Sequence, residues 1–341
     1  MQLTLARGRL VLLLVATLVG ASWPAKQAAN RRLIAGSVSQ QKNMRAIPSS
    51  RSLVLRATHI LLIQIVSSQA SAWMTDQAAS PKRTVRLTVR LEEILKGTVQ
   101  QPPGSEMSIQ VDQIGRPGKR YYAVPGVWSD EPIDPGTRLV AFSSSPSDQA
   151  GVLLVEPSCI KVLLADKYFL DVKLAMQAET DKLTLPGLLK LAQPSAGSLD
   201  YVFAEYVVAK FDDSLLQDID AFRLLMKFIE NPTLSTVARS TLLTSVYHKL
   251  IAFDPAPMPY VQALTVTMFH LVALPQASAL HDNILQVYLP NLLGLSGGGP
   301  PRKKAGDVFR GIPEERQKAE RALQAYRGKV PADALMRWLR G

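Results

Sequence analysis

Val85, Leu87, Val89 and Leu91 alternate with Arg86, Thr88 and Arg90 in the stretch VRLTVRLEEILKGT. A period of two puts alternate side chains on opposite faces of a strand, so one face is apolar and covered and the other is wet. The two arginines on the wet face need no ligand. After Lys182 the period changes. In DDSLLQDIDAFRLLMKFIENP the apolar positions are Leu215, Leu216, Ile219, Phe222, Leu225, Met226 and Ile229, which form one stripe on a helix. No single element type accommodates both periods. The expected fold class is therefore α+β: an N-terminal antiparallel β-barrel or sandwich, then an all-α domain.

The β part is expected over residues 53–182. LVLRATHILLIQIV is dense in Ile, Leu and Val and reads as a buried strand. The alternative, a second leader spanning residues 44–73, is opposed by Arg56, His59 and Gln64, which are costly to insert in a membrane. Met107, Ile109 and Val111 alternate after the turn QPPGS, and Leu139–Phe142 follow the turn DPGT. Gly151–Val155 is a further strand. Cys159–Ala165 and Tyr168–Leu174 are expected to pair around Asp166-Lys167. Several short strands bounded by Pro/Gly turns suit a small barrel or sandwich.

The pieces ATHILLIQIVSS, TVRLTVRLEEILKGT, PGSEMSIQV and PGTRLVAFS together resemble the strand sequence of netrin-like domains. That family includes the tissue inhibitors of metalloproteinases and many bacterial exported proteins, and the resemblance implies an OB-like barrel over about 90 residues. Inhibitors of that class meet a metal through an N-terminal cysteine and hold the barrel with disulfides. This chain has one cysteine, Cys159, so inhibitor activity is not implied. Cys159 sits in VLLVEPSCIKVLL and reads as a buried thiol.

Helices are expected to start near residues 214, 234, 257 and 277, with Tyr201–Phe211 as a lead-in. Asp213 or Ser214 is expected to cap the first of these, and Asn231-Pro232 to end it. Alternate starts lie 43 residues apart, within the ~40–47 of HEAT or armadillo hairpins. A plain helical bundle remains the alternative. Residues 183–293 are thus the helical domain. GLSGGGPPRKKAG, residues 294–306, reads as a flexible linker; it lacks the Gly-Lys-Ser/Thr of a phosphate loop. Residues 307–341 hold the C-terminal helices, with Pro313 in a first turn, Gly328 past an end, and Leu335, Trp338 and Leu339 on a docking face.

Arg7 and Arg9, the apolar run Leu10–Val19 and the small residues Val19-Gly20-Ala21 form a signal-peptide pattern over residues 1–21. The run is short for a membrane span, which needs about 20 residues; an N-terminal anchor is the alternative. Residues 22–52 read as a disordered basic linker. The net charge of +11 is uneven: residues 26–56 carry seven basic groups and no acid, residues 302–341 have a net of +6, and the middle is mildly acidic. Basic ends imply weak contact with anionic membrane or envelope surfaces, and nucleic acid is not expected.

No catalytic constellation is legible. His59, His248, His270 and His281 fit no metal-ligand spacing, and Pro275 keeps His270 and His281 off one helical face. His281-Asp282 has the form of an oriented base, without a visible nucleophile. Glu92 and Glu93 are adjacent on a strand and face apart, Asp212-Asp213 suits a helix start, and WSDEPIDPG suits a solvated turn. The most site-like segment is RPGKRYYAVPGVW, whose Arg116, Lys119, Arg120, Tyr121, Tyr122 and Trp128 are the candidate ligand-binding residues. No cofactor or metal is expected. The expected function is that of an exported, non-catalytic interaction protein with a protein partner; the alternative is an exported hydrolase with a site near residues 116–136.

Overall fold

The computed structural model describes residues 50–72, 82–99, 101–114, 134–143, 152–154, 162–212, 214–253, 255–295 and 302–341. The chain opens there with a short helix, α1 (Ser50–Arg56), then builds a six-stranded sheet. Its strands are β1 (His59–Ala70), β2 (Lys82–Lys96), β3 (Glu106–Ile114), β4 (Arg138–Ser143), β5 (Val152–Leu154) and β6 (Val162–Leu164). The order is β5-β3-β2-β1-β4-β6, antiparallel except for β3 with β5. The expected barrel is not formed by these strands, because three-residue β5 and β6 are the two edges and do not meet. The strand expected from residue 53 begins only at His59. Leu53, Val54 and Ala57 instead turn their side chains into the core from α1 and the residue just after it.

The alternation in β2 is realised. Val85, Leu87, Val89 and Leu91 are buried with Leu61, Ile63, Ile65, Ile109 and Leu139 in one apolar cluster. Arg86 and Arg90 are exposed, and Arg90 lies 3.8 Å from Glu106, its cross-strand partner. The opposite face of β1 and β4 carries Ile60, Leu62, Val140 and Phe142 into the larger core shared with the helices. Burial on both faces explains why β1 is a continuous apolar run. Register shifts in the β1/β2 ladder leave Glu92 and Leu95 as extra residues in β2 and Val66 in β1. Such bulges bend a strand and re-aim its side chains. Glu92 thereby reaches Arg138 of β4 (2.8 Å), and Glu93 reaches Lys173 in the next helix (3.4 Å). Gly97 ends β2 at φ +82°, and a Cβ there would lie 2.4 Å from Thr58 O and 2.6 Å from His59 Cδ2.

β6 runs straight into α2 (Ala165–Thr180), so the second strand of the expected 159–174 pair is helical. A short, dense apolar run fits either state. The helical one buries Val172, Ala175 and Ala178 along one face. The remaining helices are α3 (Leu185–Ala192), α4 (Tyr201–Phe211), α5 (Ile219–Glu230), α6 (Thr236–Ile251), α7 (Met258–Ala273), α8 (Ser278–Asn283), α9 (Leu289–Leu293), α10 (Ala305–Val308), α11 (Pro313–Gln324) and α12 (Val330–Arg340). A single π-turn, Ile284–Tyr288, joins α8 to α9 just before Pro290. Proline removes an N–H and crowds the carbonyl four residues back, so the turn widens. Helices pack mainly with the next but one. α3, α5, α7 and α11 form one row; α2, α4 and α6 form the other.

The N-cap of α5 is Asp218, whose carboxylate accepts from the N–H groups of Asp220 and Ala221. The expected caps at 213–214 lose out because Leu215 is buried in a turn before the helix begins; Asp213 itself lies outside the described residues. Asp212 pairs with Lys249 of α6 at 2.6 Å. Inside the block, Asp171 of α2 is fully buried and accepts from the N–H groups of Asp200 and Phe203 at the start of α4. Burial pushes its carboxyl up to about 7, against the pull of those two N–H groups. At the other end of a helix, fully buried Arg239 of α6 donates to the carbonyls of Ile229 (3.1 Å), Asn231 (2.7 Å) and Gln276 (3.1 Å). Burial lowers its pKa, but the carbonyl dipoles at the end of α5 favour the cation.

Substitutions at Gly97, Gly104 and Arg239 test this account. Gly97→Ala combines left-handed strain with a backbone clash and should cost about 3 kcal/mol, while Gly104→Ala (φ +93°, nothing within 4 Å of a Cβ) should cost about 1. Urea denaturation compares them, and equal losses would refute the close approach at Gly97. Arg239→Met leaves carbonyls buried without donors and should cost about 3–5 kcal/mol, with Arg239→Lys in between because one ammonium cannot span all three carbonyls.

Candidate functional site

The candidate ligand-binding residues Arg116, Lys119, Arg120, Tyr121, Tyr122 and Trp128 lie outside the described residues, as do Cys159 and the acidic pair Asp130-Glu131. Asp134 is described, and its carbonyl closes a turn by accepting from Thr137 N (3.1 Å). That turn is exposed at Asp134, Pro135 and Gly136 and hands the chain to β4.

Among the described residues, side chains distant in sequence converge beside the C-terminal end of α7. His270 lies on α7, Glu230 is the last residue of α5, and Glu315 is in the first turn of α11. The rows of the helical block place α5 and α11 on opposite flanks of α7. His270 Nδ1–H donates to Glu230 Oε2 at 3.0 Å and Nε2–H to Glu315 Oε2 at 2.6 Å. Thr267, one turn earlier on α7, donates to Glu230 Oε1 at 2.5 Å, and Lys318 donates to Glu315 Oε1 at 2.7 Å. Both ring nitrogens face carboxylates, so the bonded form is the imidazolium. The hydrogen bond to Glu230 raises the His270 pKa, burial opposes it, and Glu315 adds to the rise. Burial pushes Glu315 up, but the bonds from Lys318 and His270 hold it below the usual carboxylate range. The imidazole stands between the two carboxylates, so the three do not surround one point. Among the described residues no group of three His, Cys, Asp or Glu is placed to hold a metal ion.

His270 lines one wall of an open cleft of about 800 Å³. Leu274 and Pro275 line it, together with Lys318 and Arg321 of α11 and with His281 and Tyr326. His281 Nε2–H is shared between the carbonyls of Leu271 (2.9 Å) and Leu274 (3.2 Å), where α7 ends. Its Nδ1 is hydrogen-bonded to the Tyr326 hydroxyl. These bonds fix the ring between the end of α7 and Tyr326, and Asp282 does not orient it. Proline at 275 keeps the two histidines off one helical face, yet the reversal it causes brings both to the same cleft. The sequence carried no sign of this, because Glu230, His270 and Glu315 are 40 and 45 residues apart.

The other two histidines are local. His59 Nε2–H donates to Thr98 O (3.0 Å) across the close approach at Gly97. His248 is exposed with its ring edge-on to Tyr247, centroids 5.2 Å apart. Glu92 and Glu93 are each in an ion pair, as the strand geometry leads one to expect of carboxylates facing apart. No single helix among the described residues is long and apolar enough to cross a membrane. No protein-family model matches the chain, and no curated protein matches it in sequence.

The clasp around His270 has a defined pH signature. An unfolded histidine loses its proton near pH 6.5, whereas His270 holds it to higher pH. Its contribution to stability is complete below about 6.5 and disappears as pH rises through the raised folded value. Glu315 acts oppositely: its contribution is complete above about 4.5 and is lost as pH falls through its lowered value. His270→Gln should therefore cost about 1 kcal/mol near pH 6 and much less near pH 9. Urea denaturation at the two pH values measures this; a penalty independent of pH would show that the charged form does not hold α5 and α11 to α7.

Proposed function

We propose that the chain is an exported interaction protein of the cell envelope or extracellular space, and that its helical block presents the cleft beside His270 to a partner without covalent chemistry. One observation carries the reading: the titratable groups that meet at the cleft are bonded to one another and to helix ends. His270 is held by two carboxylates and His281 by two carbonyls and a hydroxyl. What the cleft then offers a partner is shape, apolar lining residues and the cations Lys318 and Arg321.

The packing of α3 with α5, α4 with α6 and α5 with α7 supports hairpins of the HEAT or armadillo kind over a plain bundle, since stacked repeats contact the equivalent helix of the next hairpin. Such arrays serve as binding surfaces. The kinship of the β part with netrin-like, OB-like domains rests on the strand sequence alone. Export rests on the pattern of residues 1–21, and the basic ends, including the net +6 of residues 302–341, support weak attraction to anionic envelope surfaces.

The test uses protein lacking residues 1–21. It should retain a specific component of an envelope extract, and Ala322→Trp, which places an indole in the cleft, should abolish retention without lowering Tm. Turnover of a substrate that disappears in His270→Gln, with the fold intact, would replace this reading by an enzymatic one.

A further inference from the structure

A second cleft, of about 760 Å³, opens between the N-terminal side of α10 and the exposed face of α12. Its charge is lopsided. Lys304, the residue capping α10, Arg316 of α11, and Arg337 and Arg340 of α12 all line it. Arg337 and Arg340 are three residues apart and so share one face of α12. Arg316 is committed: it donates to Leu339 O and lies 3.9 Å from Glu320. Lys304, Arg337 and Arg340 are exposed and have no hydrogen-bond or ion-pair partner among the described residues. Opposing them in the lining is Asp307, whose carboxylate is held by Arg310 at 2.6 Å.

The walls between these cations are apolar and fixed. Trp338 is buried, donates from its indole N–H to Lys303 O at 2.7 Å, and packs on Phe309 at a centroid distance of 6.0 Å. Leu295, Ala305 and Ala334 complete the wall. Three unpaired cations around one concavity repel one another, and that repulsion is relieved by an anion with several acceptor oxygens. Guanidinium forks match a phosphate in pairs, and a lysine adds a point charge. The volume is within the ~300–1,000 Å³ of small-molecule sites.

We propose that this cleft binds a phosphomonoester: the phosphate dianion is held by Arg337, Arg340 and Lys304, and an apolar portion lies against the Trp338 wall. The site is separate from the cleft beside His270, and the proposal does not rest on the partner reading given above. The same chemistry is offered by a soluble phosphomonoester and by the headgroup of an anionic lipid with a terminal phosphate.

Titration calorimetry on the purified chain decides it, with phenyl phosphate and inorganic phosphate as soluble probes. Flotation with phosphatidylcholine vesicles, with and without phosphatidic acid, provides the lipid arm. Phenyl phosphate should bind more tightly than inorganic phosphate, and Arg337→Ala/Arg340→Ala should weaken it by at least about tenfold. Arg327→Ala, which removes one positive charge away from the cleft lining, should leave it unchanged. Binding to phosphatidic acid vesicles alone, again lost only in the double variant, supports the same site with a lipid source. Binding in neither arm, or equal losses in the double variant and in Arg327→Ala, overturns the proposal. Unaltered thermal unfolding of the variants separates loss of the site from loss of the fold.

Discussion

Helix ends inside a packed block leave N–H and C=O groups that water cannot reach, and the architecture of this chain depends on satisfying them. The first N–H groups of α4 are bonded by Asp171 from α2. The last carbonyls of α5 are bonded by Arg239 from α6, and those of α7 by His281 from α8. Lys303 donates to Leu292 O at the end of α9, and Gln262 of α7 to the carbonyls of Val308 and Arg310 after α10. The bonds made by Asp171, Arg239 and His281 each join two helices and fix their relative depth, and those of Lys303 and Gln262 tie the segments flanking α10 to α9 and α7. Hydrophobic burial packs the rows together but has no direction of its own. The polar side chains supply the direction.

This constraint also explains why the chain carries ionisable residues in its interior that resemble catalytic groups. A buried carboxyl and a buried guanidinium sit in a dry environment that shifts their protonation, and a buried histidine is held by its hydrogen bonds. Perturbed groups of that kind cluster at active sites, and equally at buried helix ends. Geometry separates the two cases. Here the lone pairs and protons are directed at backbone groups and at one another.

The sheet and the helices are coupled by continuity as well as by contact. β6 passes directly into α2, and one face of β1 and β4 packs into the core that the helices share. Lys173 of α2 reaches Glu93 of β2 because a bulge at Glu92 turns the strand. Arg51 of α1 is bound to Ala209 O and lies 3.5 Å from Glu179, tying the N-terminal helix to α2 and α4. The long strands therefore function as one wall of the helical block.

The sequence by itself determined the element types where the period was long and regular. The β2 alternation, α4 through α7, α11 and α12, and the turns at Gly104 and Gly136 follow from local spacing and backbone preference, which act within a few residues. It misjudged Tyr168–Leu174, where a short apolar run satisfies strand and helix alike, and the start of α5, where burial of Leu215 displaced the cap to Asp218. Tertiary structure alone decided that the sheet stays open, that His270 meets Glu230 and Glu315, and that Lys304, Arg337 and Arg340 share a cleft. Those pairings join residues tens of positions apart, and nothing in local propensity encodes which helix stacks on which. That choice is made by the fit of apolar faces and by the donors available at each buried helix end.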